Sequence, residues 1–175
     1  SPYLLRASAS GALVIAGGNQ ITISGIHTTY RNFEIKNSDT VRKQTPANSQ
    51  NAPHLRGEGV FVQGSFNYFI GLVIHDVQDG FFVGSNGFGT QIHDCLSFNN
   101  GYLAGGVYNG HGVYVINNDL TNTLFIKETL VFNNSSLGIK NDSQNGDAVN
   151  IWHEGDASFN NGSWPQDTDR HTGLL

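Results

Sequence analysis

Three carboxylic acids and one histidine recur at the same place in the chain, two positions before the first residue of a short apolar strand. They are Glu58, Asp79, His111 and Asp147, each followed by Gly or Ala. If these strands stack in parallel at the usual spacing of about 4.8 Å, Glu58 and Asp79 are near-contact carboxylates, with His111 one step beyond. Such crowding is expected to raise the pKa of one carboxylate and of the imidazole. The pair could then supply a general acid and a base or nucleophile for glycoside hydrolysis with retention.

Two other interpretations of this column stay open. Acidic residues before glycine are common turn formers, because their oxygens accept backbone N–H bonds, and columns arise in any repeat. A carboxylate pair can also hold calcium, although the sequence contains no spacing that specifies a calcium site. The sequence therefore predicts no cofactor, with calcium as the one alternative.

Aromatic residues accompany the column. Strand alternation places Phe61, Phe82 and Tyr114 on the outer face, with Trp152 on the following coil. Exposed rings beside carboxylates predict a groove for a sugar chain, and Arg56, in a basic stretch of the first long loop, could meet an acidic substrate. The alternatives are that the long loops cover the rings as a satellite core and that the basic loop residues are simply solvated.

An internal repeat must position these residues. Apolar residues two apart, followed by an amide-rich turn, predict one buried face per copy, and a neighbouring copy has to cover that face. In this register Ile74 matches Phe98. The copies are residues 33–37, 72–76, 96–100, 130–134 and 157–161. Their last residues predict a structural corner column of Asn37, Asp76, Asn100, Asn134 and Asn161.

Two further strand sets recur in the same order. A Val-rich set comprises residues 13–15, 60–62, 81–83, 113–115 and 149–151, and a weaker set comprises 20–23, 68–70, 90–92 and 124–126. Three short strands per turn predict an all-β fold, a right-handed parallel β-helix of about five coils. Segments of unequal length precede the Val-rich strands, namely 38–59, 77–80, 101–112 and 135–148. Long loops are therefore expected on one side of the solenoid, where binding faces are usually built.

Composition narrows the function classes. A chain of 175 residues with 22 Gly and 4 Pro fits a single domain, residues 1–175. A net charge of −5 disfavours nucleic acid as a partner, and no apolar run predicts membrane insertion. One cysteine, Cys95, excludes an intrachain disulfide. The absence of Met, even at position 1, indicates a processed or excised part of a longer chain, and secretion with a cleaved leader is one explanation.

Five segments, residues 30–38, 56–60, 72–76, 110–114 and 158–162, resemble secreted bacterial right-handed parallel β-helix repeat proteins in order and spacing. By fold these proteins belong with the pectate-lyase-like superfamily. The resemblance implies the fold and an extracellular or cell-surface location. Enzymes of that superfamily cleave acidic polysaccharides by β-elimination, with an Arg or Lys base and often calcium, or hydrolyse them with paired Asp. This chain lacks those Asp pairs and a clear basic residue on the strand face.

Two functional hypotheses follow. The first is a secreted β-helix that binds, and as an enzyme would cleave, polysaccharide in the groove described above. The alternative is a non-catalytic structural or adhesive protein whose end coils, residues 13–15 and 149–159, contact further copies of the chain to form a filament. The chain ends show no amphipathic capping helix, and open strand edges favour such pairing.

Overall fold

The computed structural model describes residues 4–6, 13–14, 20–37, 43–44, 57–104, 107–142 and 148–162. Within these ranges the chain forms strands and turns, and no helix is long and apolar enough to cross a membrane. The strands are β1 (Leu4–Arg6), β2 (Leu13–Val14), β3 (Ile21–Ile23), β4 (Thr29–Arg31), β5 (Glu34–Lys36), β6 (Lys43–Gln44), β7 (Val60–Val62), β8 (Tyr68–Ile70), β9 (Val73–His75), β10 (Phe81–Val83), β11 (Gln91–His93), β12 (Leu96–Phe98), β13 (Tyr102–Ala104), β14 (Val107–Asn109), β15 (Val113–Ile116), β16 (Leu124–Lys127), β17 (Leu130–Phe132), β18 (Ile139–Asp142), β19 (Ile151–Glu154) and β20 (Ala157–Phe159).

Three parallel sheets form the walls of a right-handed parallel β-helix, as predicted. Sheet 1 has the order β1-β4-β8-β11-β16-β19, sheet 2 the order β2-β5-β9-β12-β17-β20 and sheet 3 the order β18-β15-β10-β7-β3. The chain passes through sheets 3, 1 and 2 in turn, so each coil has three strands. Five complete coils follow the initial pair β1 and β2.

The two insertions that the structure describes leave the helix at one corner, between a strand of sheet 2 and the next strand of sheet 3. One contains β6, and the other is the antiparallel hairpin of β13 and β14. Strand β13 also pairs in parallel with β6, through Leu103 and Lys43. The prediction of long loops on one side is confirmed for these two insertions, which combine into a small three-stranded sheet. The predicted loop 135–148 instead contains strand β18 of sheet 3.

Strand alternation builds the core. In sheet 3 the outer two residues of a strand point inward, so Val60 and Val62 are buried while Phe61 is half-buried. In sheet 2 only the middle residue points inward, as Ile74 and Val131 do. Buried apolar side chains from all three sheets join in one cluster, because each coil covers the open face of its neighbour.

The predicted membership of sheet 3 is wrong at both ends. Its first strand is β3 and its last is β18, whereas β2 pairs with β5 in sheet 2 and β19 pairs with β16 in sheet 1. The sequence prediction selected apolar triplets. Strand β18 is the last strand of this sheet among the described residues, and its sequence Ile-Lys-Asn-Asp contains no apolar triplet.

The predicted register of sheet 2 is wrong by one residue between its second and third coils. Ile74 pairs with Ser97, and Phe98 pairs with His75 on the outer face. Ser97 can occupy a fully buried position because its hydroxyl donates a hydrogen bond of 2.7 Å to the carbonyl oxygen of Gly112. Phe98 instead stacks outside between His75 and Phe132, with ring centroids 4.8 and 5.0 Å away.

The predicted corner column is in fact two neighbouring columns. Asn100, Asn134 and Asn161 share one position and form a ladder, in which Asn134 Oδ1 accepts the Asn100 N–H at 3.1 Å and Asn161 Oδ1 accepts the Asn134 N–H at 3.0 Å. Asp76 lies in the adjacent column and has a left-handed backbone with φ of 59°, and Asn37 follows Lys36, the register partner of His75. The structural role assigned to the asparagines is confirmed by these bonds.

Candidate functional site

The residues that precede the strands of sheet 3 form a ladder of backbone caps. Glu58 Oε2 accepts the Asp79 N–H at 3.0 Å, and Asp79 Oδ1 accepts the His111 N–H. His111 Nδ1 in turn accepts the Leu137 N–H at 3.1 Å. Each side chain thus accepts a hydrogen bond from a backbone N–H group of the next coil. The structure confirms that Glu58, Asp79 and His111 are adjacent, and it gives them the turn-forming role that the sequence analysis left open.

Glu58 and Asp79 form a close pair of carboxyl groups, of which Asp79 is buried and Glu58 is partly buried. Burial and the neighbouring Asp79 charge raise the pKa of Glu58 to about 9. Burial also raises the pKa of Asp79, to about 6, although the hydrogen bond from the His111 backbone opposes this shift. A hydrogen bond between the two side chains further separates their pKa values, so at neutral pH the pair shares one proton. Asp79 is only 5% exposed.

The hairpin of β13 and β14 stands beside this pair. It leaves the helix through two glycines with left-handed backbones, Gly101 (φ 102°) and Gly110 (φ 98°). A Cβ on Gly110 would lie 2.3 Å from Gly101 Cα, so only glycine allows the hairpin ends to meet. Tyr102 is 2% exposed, and burial together with the charges of Glu58 and Asp79 raises its pKa. The hairpin base therefore helps to remove the carboxyl pair from solvent.

The expectation of a raised imidazole pKa is wrong. Burial, followed by the positive charge of Lys140, lowers the pKa of His111 to about 4. Because Nδ1 accepts a hydrogen bond from Leu137, the neutral ring carries its proton on Nε2. His111 is therefore a neutral group at physiological pH and does not serve as a cationic partner for Asp79.

Phe61, Phe82 and Tyr114 form a column on the outer face of sheet 3, as predicted. The centroids of Phe61 and Phe82 lie 5.0 Å apart with nearly parallel planes, and those of Phe82 and Tyr114 lie 4.8 Å apart. Their faces are thus turned toward one another, and each ring is half-buried. Trp152 does not extend this column, because β19 belongs to sheet 1 and Trp152 pairs there with Phe125.

Two residues that the sequence analysis missed complete the column. Lys140 pairs with Tyr114 in register, and its Nζ lies 4.3 Å from the centre of that ring. The Tyr114 hydroxyl donates to Asp142 Oδ2, and Lys140 Nζ lies 3.1 Å from the same oxygen. Burial and these contacts with Asp142 raise the pKa of Tyr114. The sequence does contain a signal for strand β18, because Ile139 follows Val131 at nearly the spacing at which Phe81 follows Ile74.

Arg56 and Asp147 lie outside the described residues. The column position of the last coil is held by Leu137, whose carbonyl oxygen accepts the Gly112 N–H, just as that of His111 accepts the Gly80 N–H. The group of three His, Asp or Glu side chains that could share a metal in the described ranges does not include Glu58 or Asp79. Calcium at this pair stays a prediction.

Comparisons with known proteins add no assignment. No protein-family model, no curated protein and no solved structure matches this chain. The function of the chain must therefore be inferred from its own side chains.

Proposed function

We propose that this protein binds a polysaccharide along the outer face of sheet 3, over the ring column. The observation that carries the proposal is the column of Phe61, Phe82 and Tyr114, which ends in the charged pair Lys140 and Asp142. The resemblance to secreted β-helix proteins supports an extracellular or cell-surface location.

The spacing of the column suits an extended glycan. Ring centroids 5.0 and 4.8 Å apart are separated by about the length of one pyranose residue, so a chain parallel to the solenoid axis would meet one ring per sugar. The stacked rings cover one another's faces, so a sugar would pack against a strip of ring edges and gain burial of apolar surface rather than contact with a ring face. The Tyr114 hydroxyl, Lys140 and Asp142 offer hydrogen bonds to sugar hydroxyls at one end of this strip.

Hydrolysis of the glycan is a second candidate function, and the separated pKa values of Glu58 and Asp79 favour it. In that reaction protonated Glu58 would donate to the glycosidic oxygen while ionised Asp79 acts as nucleophile or base. The burial of Asp79 and the backbone caps made by both side chains support the structural role instead. Binding without cleavage is therefore the function that we propose first.

Affinity electrophoresis against a panel of neutral and acidic polysaccharides tests the binding. Phe82→Ala removes the middle ring of the column, and Phe132→Ala is the matched control, because Phe132 is a middle ring of the stack outside sheet 2. The proposal predicts that at least one polysaccharide retards the wild-type protein and Phe132→Ala but not Phe82→Ala. Equal retardation of both variants, or no retardation of the wild type by any glycan, would refute it.

Release of reducing ends tests the cleavage. If the carboxyl pair is catalytic, the wild-type protein releases reducing ends from a bound glycan, and Glu58→Gln and Asp79→Asn do not.

The filament hypothesis stays a separate prediction, to be checked by light scattering at high concentration. Assemblies that grow with concentration would favour it, and a monodisperse monomer would exclude it.

A further inference from the structure

A histidine and two carboxylates meet on the surface at the corner between sheets 1 and 2. His93 ends β11, Asp94 follows it, and Glu128 follows β16 on the next coil. One ligand atom from each of the three side chains lies within 4.8 Å of the other two. Imidazole nitrogen and carboxylate oxygen are the ligands with which proteins bind zinc outside thiolate sites.

The backbone of the corner brings the two carboxylates together. Asp94 and Glu128 occupy equivalent positions one coil apart, and both have left-handed backbones, with φ of 53° and 50°. Gly71 and Gly155 hold the equivalent positions on the flanking coils, so neither position adds a side chain of its own, and Asn32 Oδ1 lies over Gly71. A Cβ on Gly155 would lie 3.3 Å from Glu128 Cγ, which means that this glycine leaves Glu128 its room.

His93 differs from the other histidine that lies between two acids. Both ring nitrogens of His75 are hydrogen-bonded to carboxylates, at 2.6 and 2.7 Å, and its side chain is 14% exposed. His93 is 38% exposed, and its Nδ1 lies 3.7 Å from Asp94 Oδ2, which is beyond hydrogen-bond distance. Neighbouring ligands of a tetrahedral zinc ion are about 3.4 Å apart, so a small movement would place both atoms on one ion.

The local charge also suits a divalent cation. Lys127 pairs in register with His93, and its Nζ lies 2.9 Å from Glu154 Oε2, so these two charges offset each other. With a neutral imidazole, Asp94 and Glu128 contribute two negative charges on an exposed surface. A bound divalent ion would neutralise both of them.

We propose that His93, Asp94 and Glu128 form a surface site for a divalent transition-metal ion, Zn²⁺ being the one that this donor set suits. Glu128 Oε2 contacts His93 Nε2 at 2.8 Å. On metal binding, Glu128 would leave this contact and bind the metal instead. Water completes the coordination shell. Because its ligands come from two successive coils, the ion cross-links the solenoid and stabilises the folded state by mass action.

Isothermal titration of the chelator-treated protein with zinc chloride tests this site. We expect one ion per chain, a higher melting temperature with zinc, and binding at least tenfold weaker in His93→Ala. His27→Ala is the matched control, because His27 is exposed and stacks on Phe66, and no carboxylate of the described residues forms an ion pair with it. It should bind zinc as the wild type does.

Glu128→Gln provides a second variant, since its side chain is 60% exposed and its substitution should leave the fold intact. It should also weaken zinc binding at least tenfold. Cobalt(II) should give visible absorption bands of a four-coordinate ion in the wild type and lose them in both variants. Absence of zinc binding by the wild type, or unchanged affinity in Glu128→Gln and His93→Ala, would overturn the proposal.

Discussion

Replacing Glu58 by Gln should stabilise the protein, and the gain should grow with pH. Burial raises the pKa of Glu58 from 4.5 to about 9, so the folded protein keeps a proton that the unfolded chain releases. Stability from this group is complete below about pH 4.5 and is lost as the pH rises toward 9. Glutamine has no proton to lose. It can still accept the Asp79 N–H, and Gln78, which donates to Glu58 Oε1 at 3.2 Å, can turn its amide to match.

The magnitude follows from the two pKa values. One proton held by the folded state and released by the unfolded state changes the free energy of unfolding by about 1.4 kcal/mol per pH unit. From the unfolded value of 4.5 to pH 7, the wild-type protein therefore loses about 3 kcal/mol through Glu58. Glu58→Gln avoids this loss, so the difference in stability between variant and wild type should widen along that slope.

Urea unfolding of both proteins between pH 5.5 and pH 8 measures this slope. Glu154→Gln serves as the control, because the contact of Glu154 with Lys127 lowers the pKa of Glu154. Glu154 is therefore ionised in both the folded and the unfolded protein throughout this range. The difference in the free energy of unfolding between Glu154→Gln and the wild type should stay constant with pH. A constant difference for Glu58→Gln as well would show that Glu58 is ionised in the folded protein and would refute the shared proton.

Other substitutions test the packing. Asn134→Ala removes the acceptor for the Asn100 N–H from a fully buried position and should cost about 1–3 kcal/mol in urea unfolding. Ile74→Ala should cost about 2–5 kcal/mol by the same assay, because Ile74 is fully buried in the core. Gly80→Ala should prevent folding, as seen by circular dichroism, since its Cβ would lie 2.4 Å from the Gly112 carbonyl oxygen. A folded Gly80→Ala protein, or an unchanged midpoint for either of the others, would contradict this packing.

The fold was predictable where apolar periodicity is strong. Val60 and Val62 alternate with Phe61, and Phe81 and Val83 repeat the pattern, so the central coils of sheet 3 were identified correctly. Prediction failed where a polar residue faces inward with its own hydrogen bond. Ser97 is buried but not apolar, so the apolar period does not reveal its position. Because its hydroxyl is hydrogen-bonded, Ser97 can point inward, and Phe98 then points to the outer face.

The candidate site was predictable in position but not in chemistry. Equal spacing before the strands placed Glu58, Asp79 and His111 together, because coils stack at a fixed distance. The direction of the His111 pKa shift could not be predicted, since it depends on burial and on Lys140, which lies on a strand with little apolar character. Asp142 was missed for the same reason.

Nuclear magnetic resonance tests most directly whether the outer face of sheet 3 binds a glycan. Backbone amide shifts of the isotope-labelled protein would be followed during titration with the polysaccharide that retards it most. We predict that the largest changes fall on β7, β10, β15 and β18 and on the hairpin of β13 and β14. Changes confined to sheet 1 or sheet 2, or no saturable changes at all, would contradict the proposed site.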